Sequence, residues 1–315
     1  MTVALASLTF LLAAVSAGLM GYAIQRGATC TVAAIGEIAE QSSARRLIAL
    51  AEAALWVAGC LLIARWIGFI PTLPGGFAVT GWTLAGGALL GVGAFINRAC
   101  VFGAIARLGS GDWSYVLTPI GFFVGAASMM LVFGTVTPVP VPAGVLLPNW
   151  AAIVFALYAF WRIIGVVGRI RSEERIAKHV WAPHEATVII GITFVIMLLS
   201  VGPWAYTDLL SRLALGVSDN ADWRVILFIA LLSGATLGGW TAGRLSSRLP
   251  TLSGMARCFA GGMLMGWGSA LIPGGNDGLI LVGMPLFQPH AWVAIISMCS
   301  TIWIAFKIEK AFGQG

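Results

Sequence analysis

The chain has 315 residues, 59% of them hydrophobic and only 10% charged, with 40 glycines and 13 tryptophans. A soluble globular chain carries about 25% charged residues, so this composition excludes a soluble protein and defines an integral membrane one. The formal net charge of +6 would admit a nucleic-acid partner, but the positions of the charges argue against one.

A membrane-spanning helix needs roughly 20 mostly apolar residues. Nine such segments run along the chain, at about 3–24, 45–69, 78–96, 114–136, 149–168, 185–203, 223–242, 257–272 and 290–308. The first begins "MTVALASLTF", which lacks the basic start of a cleavable signal peptide and is expected to open a span. It ends in "GYAIQRGATCTVAAIGEI" (21–38), where a polar knot with Cys30 interrupts the apolar run. The apolar stretch after that knot is too short to cross a bilayer. Glu37 and Glu40 close it and are expected to be solvated.

Glu52 lies about two turns into the second segment. An acid inside a membrane is a functional candidate by default; here it is expected to snorkel or to pair with Arg45. The third segment repeats the pattern of the first in "GVGAFINRACVFGAIARLGSGDW" (91–113), and again a cysteine, Cys100, stands nine residues after a glycine. The connections "IPTLPGG" and "VTPVPVPAGVLLPN" carry no charge, whereas "RIRSEERIAKHVWAPHE" (169–185) is the longest polar segment. With nine spans, all of the 18 Lys and Arg except Arg65, Arg212 and Arg224 fall on one side. That bias predicts an N-terminus outside and a C-terminus in the cytoplasm. It also accounts for the basic surplus without nucleic acid.

The chain is similar to itself at an offset of 175 residues. "GGALLGVGAFINRACVFGAI" (86–105) then faces "GGMLMGWGSALIPGGNDGLI" (261–280), and Gly59 and Gly27 face Gly234 and Gly202. Four segments precede the fifth and four follow it, so the second half is inverted relative to the first. The expected organisation is an all-α polytopic membrane protein of two inverted-topology halves. Residues 1–145 form the first half, 146–180 the linker helix and cytoplasmic loop, and 181–315 the second half. Inverted repeats are characteristic of transporters, with the site near the midplane at the repeat interface.

Each half has two breaks, at Cys30 and Cys100, and at 203–206 and 273–277. Each is expected to start a short re-entrant half-helix. A half-helix N-terminus offers free N–H groups and a positive dipole end, which suits an anion. Irregular backbone at that depth must be satisfied by protein or a wet cavity. A thiol is soft, polarizable and a weak donor, so it suits a sulfur anion better than a hard phosphate. The candidate pathway residues are Cys30, Cys100, Thr29, Asn97, Gly274, Gly275, Asn276 and Asp277. Asp277 is expected to cap the half-helix that follows it. Cys60, Cys258 and Cys299 lie inside ordinary spans and are read as packing residues. No CxxC pair, zinc spacing, GxSxG, HExxH or P-loop occurs, and no metal or cofactor is expected.

Together "GYAIQRGATCTVAAIGEI", "GVGAFINRACVFGAIARLGSGDW" and "GWGSALIPGGNDGLIL" resemble the YeeE/YedE family of membrane proteins, which includes bacterial thiosulfate transporters. The resemblance implies nine transmembrane helices plus short re-entrant helices, in a bacterial inner membrane. It implies uptake of thiosulfate or a related small sulfur-containing ion, with Cys30 and Cys100 as relay thiols. It also implies, in some relatives, a cytoplasmic sulfur-carrier partner. Thiosulfate transporters of the family use three central cysteines, but here Ala205 faces Cys30 and Gly275 faces Cys100. Two further readings stand beside transport. One is a membrane redox or sulfur-transfer enzyme using Cys30 and Cys100; the other is a structural subunit of a larger complex.

Overall fold

The computed structural model describes residues 3–69, 73–134, 136–138, 148–172, 181–217 and 221–312. Among them the chain is all helical, without a strand. Most of the connection 136–149 and the loop 173–180 lie outside the described residues.

The long apolar runs form α1 (Val3–Arg26), α3 (Arg45–Trp66), α4 (Gly81–Asn97), α6 (Leu117–Phe133), α7 (Trp150–Ser172), α8 (Pro183–Val201), α10 (Ala221–Thr241), α11 (Leu252–Leu271) and α13 (Pro289–Phe312). Between them stand the short α2 (Thr31–Gln41), α5 (Val101–Gly109), α9 (Tyr206–Ala214) and α12 (Asn276–Gly278), the last continued by a π-helical turn, Leu279–Gly283. Seven described stretches are long and apolar enough to cross a membrane, and Trp150–Gly165 is a shorter apolar helix. Helix α11 is not among the seven; its glycines and Arg257 lower its mean hydropathy. It starts earlier than the apolar pattern suggested because Thr251 Oγ1 accepts the Gly254 N–H at 3.1 Å and caps it.

All four expected breaks are breaks in the helices. After α1 comes Ala28 with φ 46°; after α4, Arg98 with φ 60°; after α8, Gly202 with φ 88°; and after α11, Gly274 with φ 153°. One left-handed residue turns the chain, and an extended N-cap then starts the short helix: Cys30, Cys100, Ala205 or Gly275. Ala28 and Arg98 adopt without glycine a conformation that costs an L-residue strain.

The packing repeats at the 175-residue offset as well. Helix α1 packs on α10, and their counterparts α8 and α3 pack on each other; α11 packs on α6 as α4 packs on α13. The crossing of α4 and α11 is reciprocal. A Cβ on Gly93 would fall 2.7 Å from the Gly261 carbonyl oxygen, and one on Gly261 would fall 2.6 Å from that of Gly93. Gly86 and Gly268 oppose each other in the same way, at 2.8 and 2.5 Å. Small residues let helix backbones approach where lipid offers no hydrophobic drive. A Cβ on Gly234 would run into the Gly18 carbonyl oxygen, where α10 crosses α1. Gly234→Val is therefore expected to destabilise the protein by about 1–3 kcal/mol. Gly165→Ala, where nothing lies within 4 Å, should leave thermal stability unchanged or slightly raised. Thermal unfolding of both variants in detergent checks the pair.

Glu52 does not pair with Arg45. It is 7% exposed. Its carboxylate accepts Arg162 Nε at 2.7 Å and Nη2 at 3.1 Å, and Tyr158 O–H at 2.8 Å; it also meets His184 Nδ1 at 2.5 Å. Helices α7 and α8 deliver these partners from across the fold, so the acid is satisfied inside the protein and has no need to reach its own helix end. Glu40 is exposed as expected. Glu37 is not fully solvated: it accepts Ser43 Oγ at 2.6 Å and pairs with Arg46 Nε at 3.3 Å.

Candidate functional site

The short helices meet at the centre of the molecule. Cys100 is completely buried and Cys30 partly so, and all five cysteines are free thiols. As the N-cap of α2, Cys30 aims its sulfur at the start of α5: Sγ accepts the Cys100 N–H at 3.4 Å. Cys100 in turn caps α5, and its Sγ accepts the Thr31 N–H at 3.1 Å, at the first residue of α2. Each thiol therefore occupies the N-terminal position of the other's helix. These are the groups that a helix leaves without partners, and each has found a sulfur. Gly103 of α5 makes room for this, because a Cβ there would fall 2.6 Å from Cys30 Sγ.

The second half reaches into the same place. Asn276, fully buried, accepts the Val101 N–H at 3.4 Å and donates to Thr31 Oγ1 at 3.4 Å. One side chain thus joins the starts of α12, α5 and α2. Tyr206, first residue of α9, donates its O–H to the Val101 carbonyl at 2.9 Å. Asp277 is not the cap of its own segment: Gly275 is the N-cap of α12, without a side-chain cap bond, and Asp277, inside the helix, accepts the N–H of Gly278 at 2.9 Å. It also accepts the Thr207 N–H at 3.3 Å and the Thr207 O–H. Its carboxylate thus sits on the N-terminus of α9, where its charge favours the helix dipole.

Of the candidate residues, Cys30, Cys100, Asn276 and Asp277 come together through these bonds, and Gly275 packs against Thr207 and Asp277. Thr29 is 7% exposed, and its Oγ1 has no hydrogen-bond partner among the described residues. Asn97 does not join the thiols. Its amide donates to the Ala99 carbonyl at 2.7 Å and accepts Thr118 O–H at 3.0 Å, while its carbonyl accepts Tyr115 O–H at 3.1 Å. It pins the α4–α5 break. Sequence reasoning missed Thr31, Tyr206 and Thr207, although Thr31 and Tyr206 are counterparts at the offset. Cys299 in α13 is partly buried and packs against the apolar core.

Two cavities border this cluster, one reaching Cys30 and the other Ala205 and Gly275. One, of about 550 Å³, is lined by Cys30 and by Arg46, Arg98, Arg107, Arg244 and Arg248. The other, of about 490 Å³, is lined by Ala205, Thr207, Gly274 and Gly275. No group of three or more metal-ligating side chains occurs among the described residues.

Seven apolar helical stretches of membrane length define a multi-pass membrane protein, and the starts of its short helices are joined by hydrogen bonds around Cys30 and Cys100. The family model described as sulphur transport matches residues 26–304. The chain belongs to that family, the YeeE/YedE family of its sequence resemblance. No curated protein matches the chain.

Proposed function

We propose that the protein is a transporter or channel that carries thiosulfate, or a related small sulfur-containing anion, across a bacterial inner membrane. The anion passes the constriction at Cys30 and Cys100. In this reading nine helices span the bilayer: α1, α3, α4, α6, α7, α8, α10, α11 and α13. The short α2, α5, α9 and α12 are re-entrant. Residues 1–145 and 181–315 are inverted halves, and the 146–180 segment carrying α7 links them. The reciprocal contacts of Gly86, Gly93, Gly261 and Gly268 support this, since a two-fold axis makes each partner contact the other's counterpart. The N-terminus lies outside and the C-terminus inside, so the arginine-rich cavity faces the cytoplasm.

The observation that carries the reading is the pair of N–H to sulfur bonds, from Thr31 to Cys100 and from Cys100 to Cys30. In the resting protein two protein sulfurs sit on two helix N-termini. An anion with a soft terminal sulfur can replace them one at a time, taking the N–H bond and receiving an S–H bond in exchange. The passage closes again when the thiols return. The chain contains no P-loop, so a gradient or consumption of the anion inside supplies the direction.

Membrane vesicles containing the protein are expected to accumulate radiolabelled thiosulfate above empty vesicles, and to accumulate radiolabelled sulfate far more slowly. Equal rates for the two anions would contradict a sulfur-selective passage. The closeness of the two thiols also favours a second reading, sulfur transfer by a Cys30–Cys100 pair. It requires a persulfide mass shift on either cysteine after sulfur loading, and the transport reading expects none.

A further inference from the structure

The Gly275-side cavity holds an unusual set of polar groups. Trp204 and Ser269 both line it, each 1% exposed. Among the described residues neither Trp204 Nε1 nor Ser269 Oγ has a hydrogen-bond partner. Buried polar atoms are nearly always paired, and each exception needs an explanation. An indole N–H can only donate, so the partner it lacks is an acceptor.

Charge points the same way. Arg224 and Arg212 line the cavity, and both bond the same carboxylate oxygen of Asp208, at 3.0 and 3.4 Å. These three are the Asp, Glu, Lys and Arg side chains among its described lining residues. Two guanidiniums over one carboxylate give the lining side chains a positive surplus, while the Asp277 carboxylate lies buried behind Thr207 and Gly278, held by their bonds. Other lining residues are held in place. Gln288 Nε2 donates to the Pro74 carbonyl at 3.1 Å, and the Phe77 N–H donates to His290 Nδ1 at 3.2 Å. The donors are hard nitrogen and oxygen groups, unlike the sulfurs of the constriction.

We infer that this cavity captures the oxygen-bearing end of a small sulfur oxyanion, with Trp204 Nε1 and Ser269 Oγ as donors and Arg224 as the counter-charge. The inference rests on the transport reading and divides its selectivity between two places. The cavity recognises oxygens and negative charge; the thiols recognise the soft sulfur. Sulfate therefore binds at the mouth without passing.

The test is initial-rate uptake of radiolabelled thiosulfate in vesicles, with unlabelled sulfate as inhibitor. Wild type should be inhibited competitively by sulfate. Trp204→Phe and Ser269→Ala should each raise the thiosulfate KM and the sulfate inhibition constant by roughly tenfold, the factor carried by one lost hydrogen bond to a charged group. The maximal rate should hold. Cys100→Ala should instead lower the maximal rate. Unchanged constants in both Trp204→Phe and Ser269→Ala, at normal membrane abundance, would overturn the capture site and leave transport standing. If wild type takes up no thiosulfate, calorimetry of the purified full chain decides. Binding weakened by Trp204→Phe would sustain the capture site alone; unchanged binding, or none, would overturn it.

Discussion

Cys100→Ala is expected to lower thiosulfate uptake about 30-fold or more, with the protein still present in the membrane. The substitution removes the sulfur that accepts the Thr31 N–H. The buried donor left unpaired costs about 1–3 kcal/mol of stability, and loss of the S–H bond to the passing anion costs about 2 kcal/mol in the transfer step, roughly 30-fold in rate. Fold and rate should separate across a short series. Cys100→Ser restores an acceptor at the same helix start, so thermal stability should recover, but its small, hard oxygen cannot exchange places with a soft sulfur. Uptake should stay low. Cys60→Ala, in α3 and packed among apolar neighbours, should transport normally. Uptake by Cys100→Ala and Cys30→Ala at the wild-type rate would remove the relay from the account.

The second large effect lies away from the passage. Glu52→Ala is expected to destabilise the protein by about 3–5 kcal/mol, the usual result of removing one partner from a buried charge pair. Arg162 would lose a two-pronged partner, and Tyr158 and His184 would lose their acceptor. The same cluster fastens α7 to α3, beside an edge-on contact of Trp56 and Phe155 with ring centroids 5.5 Å apart. Removing both charges together, as Glu52→Leu with Arg162→Met, should recover most of the loss, because well-packed apolar replacements of buried pairs are often neutral. Thermal unfolding in detergent reads both variants. A midpoint for Glu52→Ala equal to wild type would mean that the cluster holds nothing together.

The sequence carried the helices well because apolar runs of membrane length leave a chain little choice. A lipid-facing backbone must bond to itself. The breaks were legible for the same reason: "QRGATC" and "IPGGND" cannot continue a helix in an apolar setting, and helices end at both. The 175-residue offset located the N-caps, since Cys30 answers to Ala205 and Cys100 to Gly275. Side-chain partners were not legible. Glu52 meets Arg162 and His184 across separations of 110 and 132 residues, and nothing local in the second segment signals either. Asn97 and Asn276 show the same limit. Both are asparagines beside a break, yet one bonds within its own half and the other bridges to the opposite half. Only the packed geometry distinguishes them.

The central claim is tested most directly by a structure of the protein with a selenium analogue of thiosulfate, whose anomalous scattering marks the soft atom without ambiguity. The selenium should lie at the constriction, within hydrogen-bond reach of the Thr31 or Cys100 N–H and beside the Cys30 and Cys100 sulfurs. A selenium peak found only on the lipid-facing surface, with the constriction still closed by its own thiols in a protein that takes up the analogue, would contradict it.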